Sequence, residues 1–366
     1  MQGLAVMMKI FFKKLMLFYV ALALVAAPAE LLAAQKKSNK RIHVIQKNAS
    51  TSNRITSQRI SSRYKASRMK VTLRSNAVRQ LQFENQRQNI LGENYDGSGI
   101  LQLASSKALI MNQNTGEVIY AKNTNQLTPI ASITKLMTAM VMLDANQSLD
   151  TAIYVSEEDV DYLKGTRSRL AVGSGLSRSD MLQLALMSSE NRAASALAHN
   201  YPGGVVPFVK AMNFKARELG LKNTHFVDPT GLDSENVSTA EDLAKMVKAA
   251  FQYPEIRLAT TSPSHEVYLE GREYPVNFVN TNGLVRGGEW KIGLSKTGFI
   301  NEAGRCLVMQ AVIAGEPMIV ILLDSNGKLS RIGDANRVRK WMEYNSEPAA
   351  TTTGQSPDEV MAGTIS

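Results

Sequence analysis

With 366 residues, 44% of them apolar and 20% charged, the chain has enough material for one large globular domain plus flanking segments. Its single cysteine, Cys306, excludes an intramolecular disulfide framework, and four scattered histidines (His43, His199, His225 and His265) show no paired metal-ligand spacing, so neither a metal nor a cofactor is predicted. The net charge of +10 misleads as an average: between residues 35 and 93 fourteen Lys and Arg face only Glu84 and Glu93, and the chain from 94 onward is mildly acidic.

The chain opens with Lys9, Lys13 and Lys14, an apolar run from Leu15 to Ala27, and small residues at Ala27-Pro28-Ala29 or Leu32-Ala33-Ala34 suited to cleavage. This pattern predicts a secretory signal peptide over residues 1–34. The run is shorter than the roughly 20 residues of a membrane span, so the exported chain is expected to have no integral span after signal removal. Residues 35–93, rich in Ser, Asn, Gln and Arg, are expected to form a basic, largely disordered tail, at least up to about Ala77. Such a tail is either a solvated tether or a contact for anionic envelope polymers. Export argues against nucleic acid as a partner.

Residues 94–345 carry continuous patterning and are predicted to form one domain. Lys107–Asn112 and Val118–Lys122 read as strands around the turn signal Asn114-Thr-Gly116. Ser132 to Asp144 reads as a helix with a broad apolar face. Segments 179–188, 191–200 and 205–219 are Ala/Leu/Met-rich, and 239–252 opens on the capping box Ser238-Thr-Ala-Glu241. Strand signals return at 266–270, 275–279, 291–299, 305–314 and 317–324, the last two joined through Gly315-Glu-Pro317. An amphipathic helix over about 330–344 precedes a polar tail, 346–366. Helices thus form a central block while strands come from both ends. That order predicts an α+β fold: an antiparallel sheet flanked by helices, with an inserted helical subdomain and a cleft between the two.

Three short motifs follow one another. In Ser132-Ile-Thr-Lys135 a hydroxyl and an amine one turn apart project from the same face of a helix start. The serine is a candidate nucleophile and the lysine its base, provided burial or a neighbouring cation keeps the amine neutral. Ser-x-x-Lys also occurs at Ser62–Lys65, Ser67–Lys70 and Ser325–Lys328, but only Ser132 introduces an apolar helix. Ser189-Glu-Asn191 falls between two helices, where Ser189 could relay a proton and the Asn191 amide could bind a carbonyl. A second Ser-Glu-Asn, at Ser234–Asn236, follows the turn-rich Asp228-Pro-Thr-Gly231 and is read as structural. Lys296-Thr297-Gly298 ends a strand, where a glycine lets substrate backbone come close, Lys296 supplies the positive field that keeps Lys135 neutral, and Thr297 binds a carboxylate. Each motif alone is as well explained by a helix cap or an edge-strand lysine; their order gives them meaning. No Gly-x-Ser-x-Gly elbow supports a serine–histidine–acid enzyme.

In this order the motifs resemble the penicillin-recognising serine acyltransferases, the serine β-lactamase/transpeptidase-like group. Within it the chain resembles low-molecular-weight penicillin-binding proteins that act as D-alanyl-D-alanine peptidases. The wider wording carries the likeness: Pro129-Ile-Ala-Ser-Ile-Thr-Lys135, Met187-Ser-Ser-Glu-Asn-Arg-Ala-Ala194, Phe226-Val-Asp-Pro-Thr-Gly-Leu232 and Lys296-Thr-Gly-Phe299. The resemblance spans about 100–345. It implies a five-stranded antiparallel sheet, Ser132 as the acylated nucleophile, and backbone N–H groups of Ser132 and Phe299 as the oxyanion hole. It also implies peptidoglycan peptides as substrate and β-lactams as covalent inhibitors. Ser-Glu-Asn-Arg-Ala-Ala and Lys-Thr-Gly-Phe followed by Ala-Gly-Arg-Cys look like the type-7 D-alanyl-D-alanine endopeptidases, which cut cross-bridges in the periplasm.

One position departs from that pattern. Family members usually carry Thr two residues after the glycine of the third motif, and Ile300 stands there. Losing that hydroxyl weakens the grip on a free C-terminal carboxylate and fits a cross-bridge substrate. The short polar stretch after the last helix, without the β-rich domain and amphipathic helix of carboxypeptidase relatives, points the same way. The alternatives are a D-Ala-D-Ala carboxypeptidase and a catalytically silent wall-binding module. A class A β-lactamase is disfavoured, since its Glu-x-x-x-Asn is matched only by Glu273–Asn277, far beyond the second motif.

Overall fold

The computed structural model describes residues 79–346. The predicted signal peptide, most of the basic tail, the Ser62 and Ser67 motif copies and the polar C-terminal tail lie outside the described residues.

Eleven strands and nine helices are described, with one 3-10 turn that matters for function. In chain order the segments that place the site are α1 (residues 79–90), β1 (Ser105–Asn112), β2 (Val118–Lys122), β3 (Thr128–Pro129), the 3-10 turn Ala131–Thr134 and α2 (Lys135–Asp144). The helical block follows: β4 (Ala152–Tyr154), β5 (Gly175–Ser177), α3 (Arg178–Met187), α4 (Asn191–His199), α5 (Val205–Glu218), β6 (Val237–Ser238), α6 (Ala240–Ala250) and α7 (Pro254–Thr261). Then come β7 (Ser264–Val267), β8 (Val276–Val279), α8 (Gly283–Gly287), β9 (Lys291–Ile300), β10 (Gly304–Ile313), β11 (Glu316–Ser325) and α9 (Ser330–Ser346).

Five strands make one antiparallel sheet in the order β2-β1-β11-β10-β9. The first strands pair with the last through Ile110 opposite Val320, as the distribution of strand signals predicts. The central strands are apolar on both faces. Leu307, Met309 and Ala311 face one core with Val320, Leu322, Ala335 and Val338, while Val308, Ile319, Ile321 and Leu323 face the helical lobe. α2 is buried from Lys135 to Met142, so its apolar residues run all round and it forms the axis of that lobe. β9 is an edge of the sheet, and its free side meets the 3-10 turn.

Two expectations shift. The hairpin between β10 and β11 turns on Ala314 and Gly315, both at positive φ (51° and 84°), one residue earlier than the Gly-Glu-Pro reading. Paired positive φ values match the right-handed twist of the flanking strands. The folded unit also starts before 94. Asn89 and Leu91 offer carbonyls to Arg337 and Asn336 of α9 at 2.6 and 2.8 Å, so the basic tail as read, 35–93, ends in ordered structure. α1 is polar and exposed; α9 holds it through backbone contacts that leave no apolar pattern in the sequence.

Candidate active site

Ser132 lies within the 3-10 turn and Lys135 begins α2. The predicted helix start at Ser132 is thus a tighter turn that passes into an α-helix. Ala131, just ahead of the serine, is held at φ +48°, which costs an L-residue roughly 1 kcal/mol. The turn is anchored by Asn236, which is fully buried. Its side-chain nitrogen donates to Thr134 Oγ1 (3.1 Å) and the Asp228 carbonyl (2.9 Å), and its oxygen accepts from Val227 and Asp228 N–H. The second Ser-Glu-Asn motif is therefore structural wiring.

Lys135 is 1% exposed and all its polar contacts are within the site. Its Nζ lies 2.8 Å from Ser132 Oγ, 2.7 Å from Asn191 Oδ1 and 2.7 Å from the Thr230 carbonyl. Burial draws the amine from its ordinary 10.5 down to about 7, against an upward pull from Asp228 and Glu190. A neutral amine has two hydrogens and one lone pair. The two carbonyl oxygens can only accept, so they take the hydrogens, and the lone pair is left for the one partner with a proton to give, Ser132.

Ser189 occupies the connection between α3 and α4 at φ +63°, and its Oγ accepts from Lys296 Nζ at 2.9 Å. That bond joins the third motif to the second. Lys296 also donates to the Thr297 carbonyl (2.9 Å) and is 1% exposed. The expectation of a cationic strand edge is corrected here. Burial, then repulsion from Lys135 and Arg331, pulls Lys296 well below its ordinary value. Burial is also the chief cause of the Lys135 shift, so the field of Lys296 is not what neutralises it.

Thr297 is buried and donates to Thr281 Oγ1 at 2.7 Å. Gly298 lies against the nucleophile's turn: a Cβ there would meet the Ile130 carbonyl at 3.0 Å and Ser132 N at 3.1 Å. Phe299 is half exposed at the mouth, with the Arg305 guanidinium 4.4 Å above its ring. Ile300 is buried in the main core. The structure therefore brings together two hydrogen-bonded groups, Ser132–Lys135–Asn191 and Ser189–Lys296, close enough for the two lysines to repel, bordered by 297–299.

The other candidates fall away. Ser325 bonds Ser105 (2.7 Å) while Lys328 is exposed. Glu273 is exposed in the turn between β7 and β8. Cys306 is buried, and burial raises its thiol to about 11. Among the described residues no group of three or more His, Cys, Asp or Glu is placed to hold a metal, and no helix is long and apolar enough to cross a membrane.

Sequence reasoning missed Arg331 of α9, whose guanidinium donates to the Gly298 carbonyl at 3.1 Å. Its Nε has no hydrogen-bond partner among the described residues. It also gave no role to Asp161, Thr166, Asp228 and Thr230. A cavity of about 360 Å³ beside the cluster is lined by Asn191 and Thr230 together with Asp161 and Asp228. A larger one, about 970 Å³, lies on α5 and 220–227; Ser132, Lys135, Ser189, Asn191 and Lys296 are not among its lining residues, and so it is not the catalytic cleft.

Comparison with known proteins bears on the fold and the family. The family model described as D-alanyl-D-alanine carboxypeptidase, peptidase S11, matches residues 93–327. A D-alanyl-D-alanine endopeptidase of Pseudomonas aeruginosa is 51% identical over 242 residues, 66% of this chain and 78% of the relative. One from Escherichia coli is 49% identical over the same shares. Among solved structures, the Streptomyces K15 DD-transpeptidase superposes with a TM-score of 0.62 at 29% identity, over 67% of this chain and 98% of that one.

Proposed function

Because the chain belongs to the D-alanyl-D-alanine carboxypeptidase family of serine peptidases, S11, we propose that it hydrolyses D-alanyl peptide bonds of peptidoglycan through an acyl-enzyme on Ser132. The preferred substrate is the cross-bridge, which makes it a DD-endopeptidase. The observation that carries this reading is the Lys135 amine, buried, 2.8 Å from Ser132 Oγ, with its two other contacts both carbonyl oxygens.

In the first step Ser132 Oγ attacks the D-alanyl carbonyl carbon while its proton passes to the Lys135 lone pair. The oxyanion forms against the N–H groups of Ser132 and Phe299, and Gly298 leaves room for the substrate to lie along β9. Ser189, held by Lys296, passes a proton to the leaving nitrogen as the C–N bond breaks. Lys135 restores the Ser189 proton; water then attacks the ester and gives a proton to the Lys135 lone pair, which returns it to Ser132 Oγ as the ester breaks. Asn191 binds a substrate carbonyl oxygen through the second hydrogen of its Nδ2, Thr297 turns its hydroxyl from Thr281 to a substrate carboxylate, and Arg331 adds positive charge behind Gly298. β-Lactams would acylate Ser132 in the same way. Residues 1–34 would direct the chain to the periplasm and the basic stretch that follows would tether it.

The endopeptidase preference is supported by the relatives' names and by Ile300, whose side chain is buried in the main core and offers a free carboxylate no hydroxyl. Incubation of the purified protein with cross-linked muropeptide dimers and with pentapeptide monomers tests it. Cleavage of dimers to monomers is expected; release of free D-Ala alone would make it a carboxypeptidase, and neither product would leave a silent wall-binding module.

A further inference from the structure

We propose that Asp228 and Asp161, neither of which hydrogen-bonds to Ser132 or Lys135, are positioning residues for acylation: each aims one carbonyl oxygen at the Lys135 amine and so turns its lone pair toward Ser132. The inference rests on the reading of Lys135 as the base.

The first arm is buried. One oxygen of Asp228 accepts from the N–H and hydroxyl of Thr230 and from Gly231 N–H, and the other accepts from Asp233 N–H at 2.9 Å. Together these bonds fold 228–233 into a tight turn whose Thr230 carbonyl points at Lys135 Nζ. Thr138 of α2 donates to the Pro229 carbonyl at 2.6 Å, and Asn236 takes the Asp228 carbonyl. The turn is thus fixed from α2, from its own carboxylate and from Asn236. An Asp-Pro-Thr-Gly turn on the surface would need none of this.

The second arm runs through polarity alone. Asp161 is ionised, its carboxyl held below its usual range by bonds from Lys164, Thr166 and Leu163 that outweigh its burial. It can only accept, so the one proton of Thr166 Oγ1 goes to it, at 2.6 Å. Thr166 Oγ1 must then accept from its other neighbour, the Asn191 side chain at 2.9 Å, which fixes that neighbour as Nδ2. Asn191 Oδ1 is left facing Lys135. A reversed amide would present a donor to the lysine and compete with Ser132 for its lone pair. The loop that bears Thr166 is laid along the start of α4 by two further bonds, Ser168 to Glu190 (2.7 Å) and Arg192 to the Leu170 carbonyl (2.7 Å). Lys164 pins it from the other side to Glu302, in the turn after β9, at 2.6 Å.

The two arms differ in burial, which ranks their effects. Thr230 and Pro229 are buried, whereas Thr166 is exposed and water can partly replace its hydroxyl. Charge distinguishes them as well. The titratable groups facing Lys135 are Asp228, Glu190 and Lys296; of the two acids that raise its proton affinity, Asp228 gives the larger pull. Removing its charge should therefore lower the lysine's proton affinity and move the acid limb of the acylation profile to lower pH.

The test is acylation by a fluorescent penicillin across pH 5–9, with thermal melts to verify folding. Asp228→Asn removes the charge and keeps one of the two acceptor oxygens: its limb is expected at lower pH and its plateau about tenfold down. Thr166→Val should lose about threefold with unchanged noncovalent affinity, and Thr166→Ser should restore the wild-type rate. The Asn191 side-chain amide resonance gives a readout independent of activity, shifting in Thr166→Val and returning in Thr166→Ser. An unmoved limb in Asp228→Asn overturns the first arm. A wild-type rate or resonance in Thr166→Val, or no rescue by serine, overturns the second. Failure of the wild-type protein itself to acylate would instead strike the proposed function, and the resonance would still judge the second arm.

Discussion

Gly231 lies with its bare α-carbon against the carbonyl of Ala131, where an added methyl would sit 1.9 Å from the oxygen and 2.8 Å from Thr134 Oγ1. The turn that supplies Lys135 with an acceptor is therefore in direct contact with the turn that carries Ser132. Gly231 adopts φ +81°, which costs glycine nothing, while Ala131 is held at φ +48°, where an L-residue is strained.

Gly231→Ala is accordingly expected to be severe. The new Cβ meets buried backbone that cannot rotate away, and the φ is one that alanine disfavours. A loss of about 3 kcal/mol or more is expected, read as a melting temperature lower by roughly 6–12 °C for a domain of this size. An unshifted melt would mean the two turns can part.

Stability should rise with pH above neutrality. Lys135, at about 7 when folded and 10.5 when free, binds fewer protons in the native state across that interval, so raising pH removes a penalty; Lys296, also depressed by burial, adds in the same direction. Each contributes at most about 1.4 kcal/mol per pH unit. From about pH 9 upward Cys306 opposes them, because its folded thiol holds its proton to about 11. Urea midpoints at pH 7 and 9 should therefore differ, the higher pH being more stable. Lys296→Met should gain about 1 kcal/mol at pH 7 and flatten that slope, while acylation collapses. A variant less stable than wild type would show that the buried amine earns its place by its bonds to Ser189 and Thr297.

Cys306 should not react with a thiol-specific disulfide reagent in the native protein and should react fully in denaturant. It is fully buried on β10 and its thiolate is strongly disfavoured. Native-state labelling within minutes would contradict the packing of β10 beneath the helical lobe.

Much of this was legible in the sequence because it is periodic. Val308, Ile319 and Ile321 alternate with residues of the opposite face, and α2 is apolar from Leu136 to Leu143 but for Thr138, so the strands and helices declare themselves. Ser132, Lys135, Ser189 and Lys296 were legible through their order. What escaped was irregular. Asp161 and Thr166 lie in a loop with no period, and act through which atom can donate. Ala131 bears no mark of its positive φ. Arg331 reads as one more polar position of an amphipathic helix, since only the fold brings it to Gly298. Lys296 shows the limit of motif reading: the residue was found, but that it would be buried, with its proton affinity lowered by that burial, was not.

The most direct test of the account is intact-protein mass after penicillin treatment at pH 8, comparing wild type, Ser132→Ala and Lys135→Ala. The account predicts one covalent adduct on wild type, mapped to the peptide containing Ser132, no adduct on Ser132→Ala, and acylation of Lys135→Ala slowed at least about a hundredfold. An adduct on another residue, or rapid acylation without Lys135, would contradict it.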